Sequence, residues 1–137
     1  MLIIKYKNKE ISNKINENKL INIYTKLSKD FDIEKSEVSL FFTDNSEIKE
    51  INQKYRGINK ATDVISFPLK DNYDDILGEI IISYEKAKQQ SKNTETELSH
   101  LFVHGMLHLL GYDHQSKKEL SEMKNIEKKY IGEYEKK

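Results

Sequence analysis

No cysteine occurs in this chain, so neither a disulfide nor a thiolate metal ligand is available to it. A reducing compartment fits that absence. Proline occurs once, at Pro68, and no repeat, low-complexity tract or linker divides the 137 residues. They read as one domain, 1–137, long enough to bury a core without staples. The opening Met1-Leu-Ile-Ile-Lys-Tyr-Lys7 lacks the apolar centre of a signal peptide, and no run approaches membrane-spanning length. The expected location is the cytoplasm, without membrane contact. Net charge is missing too, since 23 basic residues balance 23 acidic ones. A protein that coats nucleic acid without specificity is normally basic, so any RNA contact must come from a local patch or a partner that delivers the substrate. Arginine is nearly absent. Abundant Lys, Ile, Asn and Glu fit an A/T-rich codon bias, and within that habit the lone Arg56 raises the question of what lysine could not do there.

Apolar periodicity sketches the elements. Leu2–Tyr6, Val38–Thr43, Asp63–Phe67 and Leu77–Ser83 read as strands, the third stopped by Pro68, with a charged loop of Asp71, Asp74 and Asp75 before the fourth. Ile11, Ile15, Ile23, Leu27 and Phe31 recur close to helical spacing and predict one helical segment. Asp44-x-x-Glu47, Thr94-x-x-Glu97 and Ser116-x-x-Glu119 read as capping boxes opening further helices, the first ending near Arg56-Gly57. Tyr84–Gln90 is another helix. On the last helix Leu120, Met123, Glu127, Tyr130, Ile131 and Tyr134 lie on or near one stripe. The fold class is therefore α+β, a single mixed four-stranded sheet packed with about five helices. The helix bearing Leu98, Leu101, Phe102, Leu107, Leu109 and Leu110 is apolar on most sides, so it should be central, buried and a rigid carrier of ligands.

That helix holds the chemistry. All four histidines of the chain fall between His100 and His114. His104 and His108 are four residues apart, on one helical face about 6 Å apart along the axis, close enough to share a tetrahedral ion. His100 lies about 12 Å of rise from His108, so the three helical histidines cannot reach one metal. It reads as a hydrogen-bonded core residue or a partner to a ligand. Gly111 can adopt a left-handed conformation, end the helix and turn the chain so that His114 returns to the pair. His104, His108 and His114 thus form a tri-imidazole set with no fourth protein ligand. A structural zinc site is normally closed by four ligands, whereas a catalytic one keeps a position for water. One Zn2+ ion is expected, although nickel or another divalent ion would fit three imidazoles nearly as well.

The spacing matches the protease motif H-E-x-x-H-x-x-G-x-x-H except that Gly105 replaces the glutamate, the general base of peptide hydrolysis. A glycine inside a helix costs about 1 kcal/mol relative to alanine. Clearance beside the metal for a sugar-phosphate backbone is the reason expected here.

The run His104-Gly-Met-Leu-His108-Leu-Leu-Gly111-Tyr-Asp-His114 resembles the signature of the YbeY-type bacterial endoribonucleases, H-G-x-L-H-L-x-G-Y-D-H. Tyr55-Arg56-Gly57 with Thr62-Asp63-Val64-Ile65-Ser66-Phe67-Pro68, and Leu77-Gly78-Glu79-Ile80, resemble two further blocks of that family. Ile65 stands where the family often has leucine and Glu79 where aspartate is common. The resemblance implies a YbeY-like metallohydrolase: a zinc-dependent, single-strand-specific endoribonuclease. It also implies 16S rRNA 3′-end maturation and late-stage ribosome quality control as the setting. Ribosomal RNA, the small ribosomal subunit and assembly factors such as an Era-type GTPase are the partners it implies. Carried over by position, His104, His108 and His114 are the metal ligands and Arg56 the functional arginine.

Zinc on three neutral imidazoles would lower the pKa of a bound water toward about 7. Arg56 would bind two phosphoryl oxygens with its planar fork, which a lysine cannot do. Lys54, Tyr55 and Lys60 flank it as a possible RNA-binding patch. Glu79 and Asp113 are candidates for a proton acceptor or a carboxylate partner to a histidine. Two other functions share these residues: a metallohydrolase of another substrate, and a non-catalytic, metal-stabilised ribosome-assembly factor.

Overall fold

Val38, Leu40 and Phe42 are fully buried and alternate with the less buried Glu37, Ser39 and Phe41 along β2 (Glu37–Thr43), the period of a strand pressed on one face by helices. The computed structural model describes residues 1–69, 75–112 and 115–132. Asp71, Asp74, Asp113, His114 and Tyr134, all singled out in the sequence, lie outside the described residues. The other strands are β1 (Leu2–Tyr6), β3 (Val64–Pro68) and β4 (Ile76–Ser83). The helices are α1 (Lys9–Ser12), α2 (Glu17–Asp30), α3 (Asn45–Arg56), α4 (Tyr84–Gln90), α5 (Thr94–Leu109) and α6 (Lys117–Ile131).

The strands form one mixed sheet in the order β1-β2-β4-β3, with β1, β2 and β4 parallel and β3 antiparallel to β4. Register sorts the side chains between two faces. Ile80 and Ile82 of β4 join Val38, Leu40 and Phe42 in the main core, against Leu27 of α2 and Leu101, Phe102 and Met106 of α5. Ile81, one residue out of step, points to the other face and packs with Ile65 and with Ile48 of α3. The α+β class and the single mixed sheet agree with the sequence reading.

Two local expectations change. The segment from Ile11 to Phe31 is not one helix, because two asparagines cap it twice. Asn8 Oδ1 accepts from Ile11 N at 2.9 Å to start α1, and Asn16 Oδ1 accepts from Lys19 N at 3.2 Å to start α2. That break gives six helices among the described residues rather than about five. The cap of α5 is Asn93, whose side chain accepts from Thr96 N at 3.1 Å, and not Thr94. Asp44 and Ser116 cap α3 and α6 as expected.

Helix α5 is central. Phe102, Val103, Met106 and Leu107 have no exposed surface, and the helix rides unusually close to the sheet. A Cβ on Gly78 of β4 would lie 2.6 Å from Leu109 Cδ2, and one on Gly105 would lie 2.8 Å from Ile80 Cγ2. Each glycine is the hollow that receives the opposite element's side chain. Gly105 is thus explained by helix–sheet contact. The clearance toward a ligand expected from the sequence is not what it provides.

Candidate metal centre

Helical spacing and the seating of α5 together bring His104 and His108 to the mouth of a cleft of about 580 Å3. Their Nε2 atoms are 3.1 Å apart. Two nitrogens bound about 2.0–2.1 Å from one tetrahedral ion sit roughly 3.3–3.4 Å from each other, so the pair is already spaced as joint ligands of a cation. Both side chains are half-buried, which keeps their orientation while leaving access from the cleft.

Past Leu109 the helix stops as expected. Gly111 takes φ +99°, Tyr112 N donates to Leu107 O at 2.9 Å, and Gly111 N donates to His108 O at 3.1 Å. These two bonds are the Schellman pattern, which satisfies the last carbonyls and reverses the chain. Tyr112 then anchors the turn edge-on against Phe31, with ring centroids 6.2 Å apart.

The opposite side of His104 meets a carboxylate that the sequence reading did not single out as a site residue. Glu127 reaches from α6 and places Oε1 2.9 Å from His104 Nδ1 and Oε2 2.9 Å from His100 Nε2. Burial pushes the Glu127 carboxyl up, but the bonds from His100 and His104 outweigh it and hold the group at about 2. The ionised carboxylate only accepts hydrogen bonds, so both facing nitrogens carry protons. His100 Nδ1 faces Glu97 Oε1 at 3.3 Å, and Gln90 Nε2 donates to Glu97 Oε2 at 2.9 Å. Glu97, read from sequence as the far end of a capping box, is fully buried in this network instead.

Ligand atoms of His100, His104 and Glu127 also lie within 4.8 Å of one another, so this trio could hold a metal ion as well. Sequence reasoning separated His100 from the metal by helical rise, and it remains far along the helix from His108. The structure nevertheless joins it to His104 through Glu127. A charged residue on the otherwise apolar stripe of α6 was the signal for that carboxylate.

Arg56, at the last turn of α3, lines the same cleft as His104 and His108, together with Thr62, Asp63 and Ser66. Gly57 ends α3 in a left-handed conformation at φ +70°, and Asn52 Nδ2 donates to Lys60 O at 2.9 Å, which ties down the following loop. The remaining predicted residues divide. Lys54, Tyr55 and Lys60 are exposed beside Arg56, with Lys54 Nζ 5.3 Å above the Tyr55 ring. The Tyr55 ring, however, turns to the other face of the sheet and meets Phe67 edge-on at 5.5 Å. Glu79 is there too, with Tyr55, Phe67 and Ile81 in a separate cleft of about 380 Å3. Its register places it on the Ile81 side of β4, so the structure does not bring it to the histidines. Asp113 and His114, two and three positions after Gly111 in the sequence, fall outside the described residues.

Known proteins share this arrangement of sequence and fold. The family model described as endoribonuclease YbeY matches residues 3–135. An endoribonuclease YbeY from Acholeplasma laidlawii is 46% identical over 108 residues, covering 76% of this chain and 78% of its own. One from Syntrophomonas wolfei is 37% identical over 146 aligned positions, covering 95% and 94%. A solution structure from Thermotoga maritima superposes with a TM-score of 0.59 at 30% identity, covering 96% of this chain and 90% of that one.

Proposed function

The chain belongs to the endoribonuclease YbeY family, and from that premise we propose that it is a metal-dependent endoribonuclease acting in the Arg56–histidine cleft. The observation that carries this reading is the convergence of the His104 and His108 Nε2 atoms, 3.1 Å apart, in a cleft that Arg56 also lines. His104, His108 and, beyond the described residues, His114 would hold a divalent ion, with zinc the ion that suits neutral imidazoles. When bound, the ion supplies Lewis acidity, activating water near neutral pH and offsetting charge on a phosphoryl oxygen.

The chain's own groups then have separate tasks. Arg56 is the arginine of the cleft, and its fork binds two oxygens of the scissile phosphate as negative charge builds on them. Ser66 and Asp63 are committed elsewhere: Ser66 Oγ donates to Gly105 O at 3.2 Å, and Asp63 accepts from Val64 N at 2.8 Å and from Gln90 Nε2 at 3.2 Å. They shape the wall and leave the phosphate to Arg56. Lys54 and Lys60, exposed and close to Arg56 in the chain, would add positive charge for a single strand.

The substrate is single-stranded RNA. The family likeness supports ribosomal RNA, with 16S 3′-end maturation and ribosome quality control as the setting. It likewise supports the small subunit and an Era-type GTPase as partners, the cytoplasm as the location, and the whole chain as one functional domain. No described helix is long and apolar enough to cross a membrane.

The test loads the protein with zinc and compares it with His108→Ala on matched single- and double-stranded RNAs, mapping the ends. Cleavage confined to single strands and lost in the variant is the expected result. Equal cleavage by metal-free protein would end the metal assignment. Zinc binding without cleavage, alone or on ribosomal subunits, would favour a non-catalytic assembly factor.

A further inference from the structure

We infer that Glu127 is a positioning residue that fixes the tautomer of His104, so that the C-terminal helix α6 sets the metal affinity of a site built on α5. The inference rests on the metal reading above and deepens it. A neutral imidazole has one N–H and one lone pair, and the hydrogen bond made by one nitrogen decides which role the other plays. The Glu127 carboxylate accepts from His104 Nδ1 at 2.9 Å, which puts the ring proton on that nitrogen and leaves the lone pair on Nε2. Nε2 is the atom facing His108 Nε2 at 3.1 Å. Without Glu127 the ring is released to carry its proton on Nε2, where it blocks the ligand position.

Glu127 is itself held. Its second oxygen lies 2.9 Å from His100 Nε2, and His100 is braced from the other side by Glu97. This gives His100 a task that does not require it to touch the ion. It stops the carboxylate from swinging toward solvent. Helix α6 docks through buried Met123, with Ile126, Tyr130 and Ile131 packed beside it and Tyr130 OH donating to Asp30 at 2.7 Å, while Glu127 is its contact to the histidines. Carboxylate partners of metal-ligating histidines typically change metal affinity about 10- to 100-fold when removed.

The first measurement needs no variant. Long-range 1H–15N spectra of the metal-free protein should show His104 with its proton on Nδ1, and a proton on Nε2 overturns the inference. The second compares Glu127→Gln with the parent by zinc titration and by the same spectra. The expected outcome is a zinc dissociation constant raised about 10- to 100-fold together with a mixed His104 tautomer. Unchanged affinity in a folded Glu127→Gln protein overturns it. The third probes the zinc-loaded parent by X-ray absorption. A first shell of imidazole and water is expected, and carboxylate oxygen from Glu127 in that shell overturns a positioning role. If the parent binds no zinc at all, the metal reading fails, while the tautomer measurement still stands or falls by itself.

Discussion

Replacing Gly105 with alanine sets two effects against each other inside the helix that carries the histidines. Helix propensity favours alanine by about 1 kcal/mol. Packing opposes it, because the new methyl would lie 2.8 Å from Ile80 Cγ2, 3.1 Å from Ser66 Oγ and 3.2 Å from Ile80 Cδ1. Ile80 has no exposed surface, so its side chain cannot swing into solvent, and relief requires α5 to lift from the sheet. Overpacking of this kind costs about 1–3 kcal/mol. The net expectation is a loss of about 1 kcal/mol, a fall of several degrees in melting temperature for a domain of this size. Urea unfolding should show a lower midpoint at an unchanged slope. Ile80→Ala alone should cost roughly 2–5 kcal/mol, and the double variant should lose less than the two singles summed, because the new methyl occupies space the isoleucine vacated. A Gly105→Ala protein as stable as the parent would refute the close-packing account. A stable variant that binds zinc yet no longer cleaves RNA would restore the idea that this glycine keeps the cleft open.

Three further outcomes are expected. Arg56→Lys should keep zinc and stability but lose most cleavage of single-stranded RNA, since a point charge cannot grip two phosphoryl oxygens; full activity in a cleavage assay would remove Arg56 from the mechanism. Gly111→Ala meets no atom within 4 Å but forces a side chain into φ +99°. It should cost roughly 1–2 kcal/mol by denaturation and weaken zinc binding through the segment leading to His114. Asp44→Ala removes the α3 cap and should cost about 1 kcal/mol at neutral pH. The Lys7 hydrogen bond and the Glu47 amide hold the Asp44 carboxyl below its usual range. Its contribution is therefore present above the ordinary carboxyl pKa and lost as pH falls through the depressed folded value, so parent and variant should converge in acid. A gap independent of pH would contradict that assignment.

Much of the site was legible because it is local. His104, His108 and Gly111 stand on one helix and its stop, and helical geometry alone places them. The strands and the α3 and α6 caps were legible for the same reason, being set by alternation and by a cap three residues from its partner. What escaped depends on approach between distant segments. Glu127 is 23 residues from His104, and nothing short of the packing of α6 on α5 reveals that it faces an imidazole. Gly105 was assigned to the cleft because the sequence does not say which side of α5 meets the sheet. Glu79 was offered as a proton acceptor or partner to a histidine, while the period of β4 turns it to the opposite face of the sheet. The break between α1 and α2 was readable in principle. Asn8 and Asn16 are both good cap residues, and the apolar spacing across them was given more weight than their side-chain chemistry.

The depth of α5 has a kinetic consequence. The helix packs against β3 and β4 of the sheet and against α4, α2 and α6, and Val103, Gly105, Met106 and Leu107 are buried. Amides in that stretch can exchange with solvent only when the whole fold comes apart, so their protection should equal the global unfolding free energy. The two imidazoles they carry therefore share the lifetime of the native state.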